Sequence, residues 1–314
     1  MRRTFAVLRK KMSIASIPMN LGQPNMGLDQ APTKIIDGGL KELLGGIGWG
    51  VKQLPPLYFD SFDETGLPPV PAGLKAKNCA HVGKGCKAIH DYTLEQCKDG
   101  NFPLILGGDH CIAIGTVSAI KQARPNAGIV WVDAHADINN PQRSVSGNMH
   151  GMPVAFLLGL VDNAEKLPGF EWFKPRVDPK DVVYIGLRDL DEDEKITIRK
   201  LGIKAYSMYD VDRLGVGKIM DETLDYFKDR KDIHLSFDID AIDPFYAPHT
   251  GTAVTGGLTY REGNYICEAL FMSGKLTSME LVEVDPAQHL GVEHSKTIDC
   301  ALTLIGSAMG KRIL

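Results

Sequence analysis

Asp133, His135 and Asp137 stand at alternate positions directly after the apolar run Ile129–Val132. Alternate residues of an extended chain share a face, so all three can enter one pocket beyond a buried parallel strand. Titratable groups crowded into one crevice need compensation. A mixed carboxylate and imidazole set suits manganese, zinc or iron better than calcium or magnesium. Taken alone, the triplet also fits a polar loop in which Asp133 or Asp137 caps the next helix. Two further stretches repeat the pattern. Phe102–Gly115 holds an apolar strand, a Gly107-Gly108 turn, then Asp109 and His110 opening a helix; Ile233–Pro244 holds a strand ending in Asp238 and Asp240. His110, Asp133, His135, Asp137, Asp238 and Asp240 sum to two His and four Asp. That is too much negative charge for one divalent ion and about right for two, bridged by carboxylates about 3.5–4 Å apart around a shared water.

These residues must be delivered by strand ends, where open α/β sheets build their sites. Strands are expected at Ser13–Pro18, Trp49–Leu54, around Leu104 and Ile129, and at Val182–Leu187, Ile203–Tyr206, Ile233–Phe237 and Ser278–Val284. Helical patterns lie between them: Thr33–Leu44 stopped by Gly45-Gly46, Cys79–Asp99, Ile112–Ala123, Pro153–Val161, charged stretches between the later strands, and a closing helix at Lys296–Met309. Pro55–Lys77, with five prolines, reads as a surface loop. The alternation predicts an α/β fold: a single doubly wound, largely parallel eight-stranded sheet sandwiched between helices, in three α/β/α layers. No linker or repeat divides it. The expectation is one catalytic domain over residues 13–314 after a basic tail, 1–12.

Composition narrows the classes. With 314 residues, 44% hydrophobic and 24% charged, the chain has the make-up of an ordinary globular protein able to bury a sizeable core. A net charge of −4 gives no footprint for nucleic acid. No apolar run approaches the ~18–20 residues of a membrane span. The six cysteines (Cys79, Cys86, Cys97, Cys111, Cys267, Cys300) form no C-x-x-C pair and read as free thiols in a reducing compartment. The expected location is the cytoplasm. The mitochondrial matrix is the alternative, because Arg2, Arg3, Arg9, Lys10 and Lys11 precede the first acid, Asp29.

Gly107-Gly108-Asp109-His110, Asp133-Ala134-His135-Ala136-Asp137 and Ser236–Pro244 together resemble the three signatures of the ureohydrolases, the arginase/agmatinase family. The resemblance runs from about Ser13 to the last helix. It implies two Mn²⁺ per subunit, one held by His110, Asp133, Asp137 and Asp238, the other by Asp133, His135, Asp238 and Asp240, with Asp133 and Asp238 bridging. Donor chemistry alone leaves Fe²⁺, Co²⁺ and Zn²⁺ open. Asp109 and Asp243 are expected to shape turns rather than bind metal. His81, His90, His234, His249, His289 and His294 lie outside any motif and are assigned to packing or surface. Ala136 replaces the Thr of many arginases, with its side chain expected to face away from the metals.

The polar loop Asn139–Gly151 equally fits an ordinary turn. Asn139, Ser146, Asn148 and His150 resemble the arginase version of it, which implies that Asn139 and Ser146 receive the substrate α-carboxylate. Agmatinases, whose substrate lacks that group, carry a different sequence here. Asp191 matches the acid near the α-amino group; Glu192 and Asp193 fit a helix start, and Asp189 and Glu194 stay open between the two readings. Thr252 is placed at the pocket rim. Glu283, near the end of a buried strand, needs a cation, and by resemblance that cation is the substrate guanidinium. The mechanism expected is hydrolysis of L-arginine to L-ornithine and urea by a hydroxide between the metals, with Asp137 carrying the proton and His150 as acid or shuttle for the leaving amine. Agmatine hydrolysis and a turnover-free metal-binding protein are the competing readings. A homotrimer, or a hexamer of two trimers, is implied by the same resemblance.

Overall fold

The computed structural model describes residues 11–59, 68–288 and 296–312. The basic segment 1–10 and the histidines His289 and His294 lie outside them. The eight strands are β1 (Lys11–Ile17), β2 (Gly50–Gln53), β3 (Phe102–Gly107), β4 (Gly128–Val132), β5 (Val182–Leu187), β6 (Lys204–Ser207), β7 (Ile233–Asp238) and β8 (Leu276–Val282). They form one sheet in the order β2-β1-β3-β8-β7-β4-β5-β6, and every strand pairing in it is parallel. The doubly wound expectation holds, without an antiparallel edge. Strand β1 begins at Lys11, so Lys11 and Met12, read as tail, pair with Gly50 and Val51 of β2.

The helices are α1 (Ala31–Ile35), α2 (Lys41–Gly46), α3 (Cys79–Gln96), α4 (Ala113–Ala123), α5 (Pro153–Leu157), α6 (Glu192–Leu201), α7 (Met208–Leu214), α8 (Val216–Tyr226), α9 (Tyr260–Met272) and α10 (Lys296–Ala308). The first helical region departs from the Thr33–Leu44 expectation. A π-turn over Ile36–Leu40, with Gly39 at φ 100°, separates α1 from α2. The cause is local: Gly38-Gly39 supplies no Cβ to hold the regular turn. Helix α9 opens on a reciprocal cap, Thr259 with Glu262, a Thr-x-x-Glu signature.

Alternation along each strand sends side chains to two cores. Met12 and Ile14 of β1 pack with Ile35, Leu44, Val211, Ile219, Ile266 and Leu304 on one face. Ala15 and Ile17 pack with Val82, Ile89, Ile114, Val117, Phe156 and Ile198 on the other. Helices on both faces leave the strand ends as the open surface.

On the second face α3 and α4 approach until backbone meets backbone. A Cβ placed on Gly115 would lie 2.5 Å from the Cys86 carbonyl oxygen and 2.9 Å from Ile89 Cβ. Gly115→Ala should therefore destabilise by about 1–3 kcal/mol through overpacking, although an exposed helical Gly→Ala exchange stabilises by up to about 1 kcal/mol. A lowered urea midpoint supports the packing; an unchanged or raised midpoint contradicts it.

Candidate metal centre

Register brings the chemistry together. Val132 of β4 lies beside Phe237 of β7, and Asp238 beside Val282 of β8. The next residues out of β4 and β8, Asp133 and Glu283, therefore leave the sheet beside Asp238. Strand β3 flanks β8, and its exit turn returns His110 over the same edge. That turn requires glycine: a Cβ on Gly108 would lie 1.9 Å from the Met19 carbonyl oxygen. Asp109 accepts from the Cys111 and Gly22 backbone N–H groups, both at 2.9 Å, and ties the turn to the first loop. Asp243 likewise accepts from the N–H groups of Phe245, Gly256 and Gly257. Both are turn-formers, as expected.

His110 Nδ1 lies 3.2 Å from Asp133 Oδ2, 3.1 Å from Asp137 Oδ2 and 3.2 Å from Asp238 Oδ2. It is buried and makes no hydrogen bond of acceptable geometry. One N–H cannot serve three carboxylates at once, whereas a cation can, so this donor set fits a metal ion. Beside it, His135 Nδ1 lies 3.1 Å from Asp240 Oδ2 and 3.5 Å from Asp133 Oδ1. His110, Asp133 and Asp137 can each offer one ligand atom within 4.8 Å of the others, and so can Asp133, His135 and Asp240. Asp133 belongs to both sets. Backbone and indole groups hold the carboxylates in place. Asp133 accepts from His135 N (2.7 Å) and Trp131 Nε1 (2.9 Å), Asp238 Oδ1 from Asp240 N (2.8 Å), and Asp240 Oδ1 from Ala134 N (3.2 Å). Arg188, just past β5, donates to the carbonyls of Asp240, Ala241 and Val254 and clamps the third motif.

The electrostatics reflect the crowding. Burial, then Asp133, pushes Asp137 up to about 6. Burial and the carboxylates of Asp240 and Asp133 push Asp238 well up, and burial with Asp133 raises Asp240. Burial opposes charge on His110 and His135 too, yet the surrounding carboxylates raise both. Asp133 resists burial and is held low by the two imidazoles. Without another cation, the pocket keeps its charge tolerable only by retaining protons.

Above this cluster opens a cavity of about 330 Å³ lined by His135, Asp137, Asn139, Ser146, Asn148, His150, Asp191, Asp238, Asp240, Thr252 and Glu283. His110 and Asp133 lie beneath its floor, 1% and 0% exposed. Thus every residue named from the sequence as a metal ligand, catalytic group or substrate contact lines this cavity or lies directly beneath it. Asn139 Nδ2 donates to Asp191 Oδ2 at 2.9 Å, joining the polar loop to the start of α6. Glu283 is 2% exposed; its Oε1 accepts from His110 N at 2.8 Å and lies 3.3 Å from His150 Nδ1, while Oε2 has no hydrogen-bond partner among the described residues. Asp137 (φ 51°) and Glu283 (φ 61°) both adopt left-handed backbone, a conformation costing about 1–2 kcal/mol for a residue with a Cβ. Such strain marks sites where orientation outweighs local stability.

Glu194, left open by sequence reasoning, also lines the cavity. Its carboxylate accepts from Ile138 N and Asp191 N, and burial pushes it up to about 7. The Asp-x-x-Glu spacing of a reciprocal helix cap was the signal available for it.

The sequence model of the arginase family matches residues 10–310. Human arginase-1 (Homo sapiens) is 42% identical over 305 residues, 96% of this chain and 93% of that protein. The Bacillus caldovelox arginase structure superposes with a TM-score of 0.88 at 38% identity, covering 97% of this chain and 100% of that one. An Entamoeba histolytica arginase, solved in complex with L-ornithine, gives a TM-score of 0.85 at 30% identity, covering 96% of this chain and 99% of that one.

His150 generates a pH dependence. Burial disfavours its charged form, but the Glu283 carboxylate outweighs burial and raises it to about 9. The unfolded value is about 6.5. Stability from the raised group is therefore fully present below about pH 6.5 and lost as pH climbs through the folded value. In metal-free buffer, the Tm gap between the parent and His150→Asn should shrink over that window. A gap independent of pH contradicts the ion pair.

Proposed function

The chain belongs to the arginase family, hydrolases of the C–N bond, and on that premise we propose that it hydrolyses L-arginine to L-ornithine and urea with two Mn²⁺ per subunit. The observation that carries this reading is the sharing of Asp133 between two carboxylate–imidazole triads directly beneath a polar cavity. His110, Asp133, Asp137 and Asp238 would hold one ion, and Asp133, His135, Asp238 and Asp240 the other, with Asp133 and Asp238 bridging. When bound, such a pair lowers the pKa of the water between the ions and supplies hydroxide near neutral pH.

The remaining steps fall to the chain's own residues. Glu283, whose Oε2 is buried without a hydrogen-bond partner among the described residues, binds the guanidinium through charge-assisted hydrogen bonds and turns its carbon toward the nucleophile. Asn139, Ser146 and Asn148 donate to the substrate α-carboxylate, Asp191 accepts from the α-amino group, and Thr252 bounds the rim. Asp137 takes the proton from the attacking water and passes it to the leaving nitrogen as the C–N bond breaks. His150, held protonated by Glu283, is positioned to donate a proton to the departing amine of ornithine. The assembly proposed is a homotrimer or a hexamer of two trimers. No helix among the described residues is long and apolar enough to cross a membrane.

Agmatine lacks the carboxylate for which the Asn139–Asn148 loop is built, so L-arginine should be the preferred substrate. Ser146→Ala should raise KM for L-arginine by about tenfold, the scale of one hydrogen bond to a charged group, and shift agmatine turnover by less than about twofold. Preference for agmatine, or an equal loss on both substrates, would refute the loop assignment. Separately, dialysis against a chelator should abolish urea release and added Mn²⁺ restore it. Undiminished activity after complete demetallation contradicts the metal requirement.

A further inference from the structure

The segment Lys75-Ala76-Lys77-Asn78 leads from the proline-rich loop into α3 and carries two lysines that the mechanism above does not use. Backbone bonds lay it along the Asn139–Gly151 loop: Lys75 N donates to Pro141 O and Lys77 N to Gly147 O, both at 2.8 Å. Asn78 Nδ2 donates to Leu21 O at 2.9 Å and ties the segment to the first loop as well. Gly147, at φ 74°, permits the close approach; a Cβ there would lie 3.3 Å from Lys75 Cβ. From this support the Lys77 ammonium reaches Asn148 Oδ1 at 3.0 Å. Asn148 lines the cavity, whereas Lys77 stands outside it in solvent. The one basic side chain of the loop itself, Arg143, is turned to Asp193 at 3.4 Å.

We propose that Lys77 is a positioning residue for the substrate α-carboxylate: it holds the Asn148 amide with its N–H groups free for that carboxylate and supplies positive charge behind it. The inference rests on the placement of the carboxylate at Asn139, Ser146 and Asn148 in the preceding subsection. The two ends of an amide have nearly the same shape, so its partners decide which way it points. An ammonium only donates, and the Asn148 atom facing Lys77 must therefore be the carbonyl oxygen. Both protons of Nδ2 then lie on the other side of the amide, and Nδ2 has no hydrogen-bond partner among the described residues. Without the lysine the amide is free to turn over and present its oxygen to an incoming carboxylate, which repels it. The ammonium also polarises the amide it binds and strengthens the N–H groups as donors. Charge makes this support necessary. The cavity is lined by carboxylates and, among the described residues, by no lysine or arginine. A carboxylate entering such a mouth meets repulsion that a nearby cation offsets. Agmatine has no carboxylate, so neither contribution of Lys77 aids its binding.

The test is steady-state kinetics of the full-length protein, supplied with Mn²⁺, on L-arginine and on agmatine. Lys77→Met removes the charge and the donor while keeping the length of the side chain, and Lys77→Arg keeps both. Lys77 is exposed, so neither exchange disturbs the core, and thermal unfolding checks this. Lys77→Met should raise KM for L-arginine by about five- to tenfold, the scale of one hydrogen bond from a partly solvated charge. Its kcat on L-arginine and its kcat/KM on agmatine should stay within about twofold of the parent. Lys77→Arg should restore KM to within about threefold. A parental KM for L-arginine in Lys77→Met, an equal loss on both substrates, or a Lys77→Arg variant as impaired as Lys77→Met would overturn this inference and leave the proposed function intact. A parent protein that releases no urea from L-arginine, or that prefers agmatine, would overturn both.

Discussion

Four aspartates and a glutamate are pressed together at the ends of three neighbouring strands, and their mutual repulsion is the constraint from which the rest of the molecule can be understood. Asp133, Asp137, Asp238 and Asp240 surround two imidazoles at 3.1–3.5 Å, and all four are nearly excluded from water. In that setting a carboxylate either keeps a proton or finds a cation. The raised values of Asp137, Asp238 and Asp240 express the first outcome. The shape of the cluster prepares the second. A divalent metal would replace several partial protons with fixed charge and convert that electrostatic liability into binding energy.

The scaffold makes this crowding affordable by giving each acid a fixed partner. Peptide N–H groups of His135, Ala134, Asp240 and His110 donate to Asp133, Asp240, Asp238 and Glu283. These donors carry no net charge and do not compete with metal for the outward lone pairs. Left-handed backbone at Asp137 and Glu283 aims both side chains into the same space. Interleaved strand order places β8 between β3 and β7, so segments far apart in sequence leave the sheet side by side. A meander of the same strands would have put His110, Asp238 and Glu283 on separate stretches of the edge.

Much of this was legible in the sequence because the relevant signals are short-range. Each acidic motif follows directly on an apolar strand, although the extended alternation expected of Asp133-Ala134-His135-Ala136-Asp137 gives way to bends at Ala134 and His135 and left-handed backbone at Asp137. The sheet's eight strands could be read for the same reason. Features that depend on distant partners were not legible. The π-turn over Ile36–Leu40 is the local exception, because Gly38-Gly39 reads as part of a continuous helix whose other residues have ordinary helical character. Glu194 resembles any acid in a first helical turn until the fold buries it beside Asp137. Glu280 reads as one polar residue in an apolar strand, and only the fold brings Ser236 of β7 and Thr116 of α4 to donate to its two oxygens. The family signatures supplied an expectation where spacing alone left alternatives open, above all for the Asn139–Gly151 loop, which local chemistry cannot distinguish from an ordinary turn.

The central claim is that Asp133 stands between two cations. Anomalous X-ray diffraction from crystals grown with Mn²⁺, collected at the manganese edge, reads this directly. The account predicts two peaks about 3.5–4 Å apart, one against His110 and one against His135, with Asp133 touching both. A single peak, or two peaks that do not share Asp133, would contradict it.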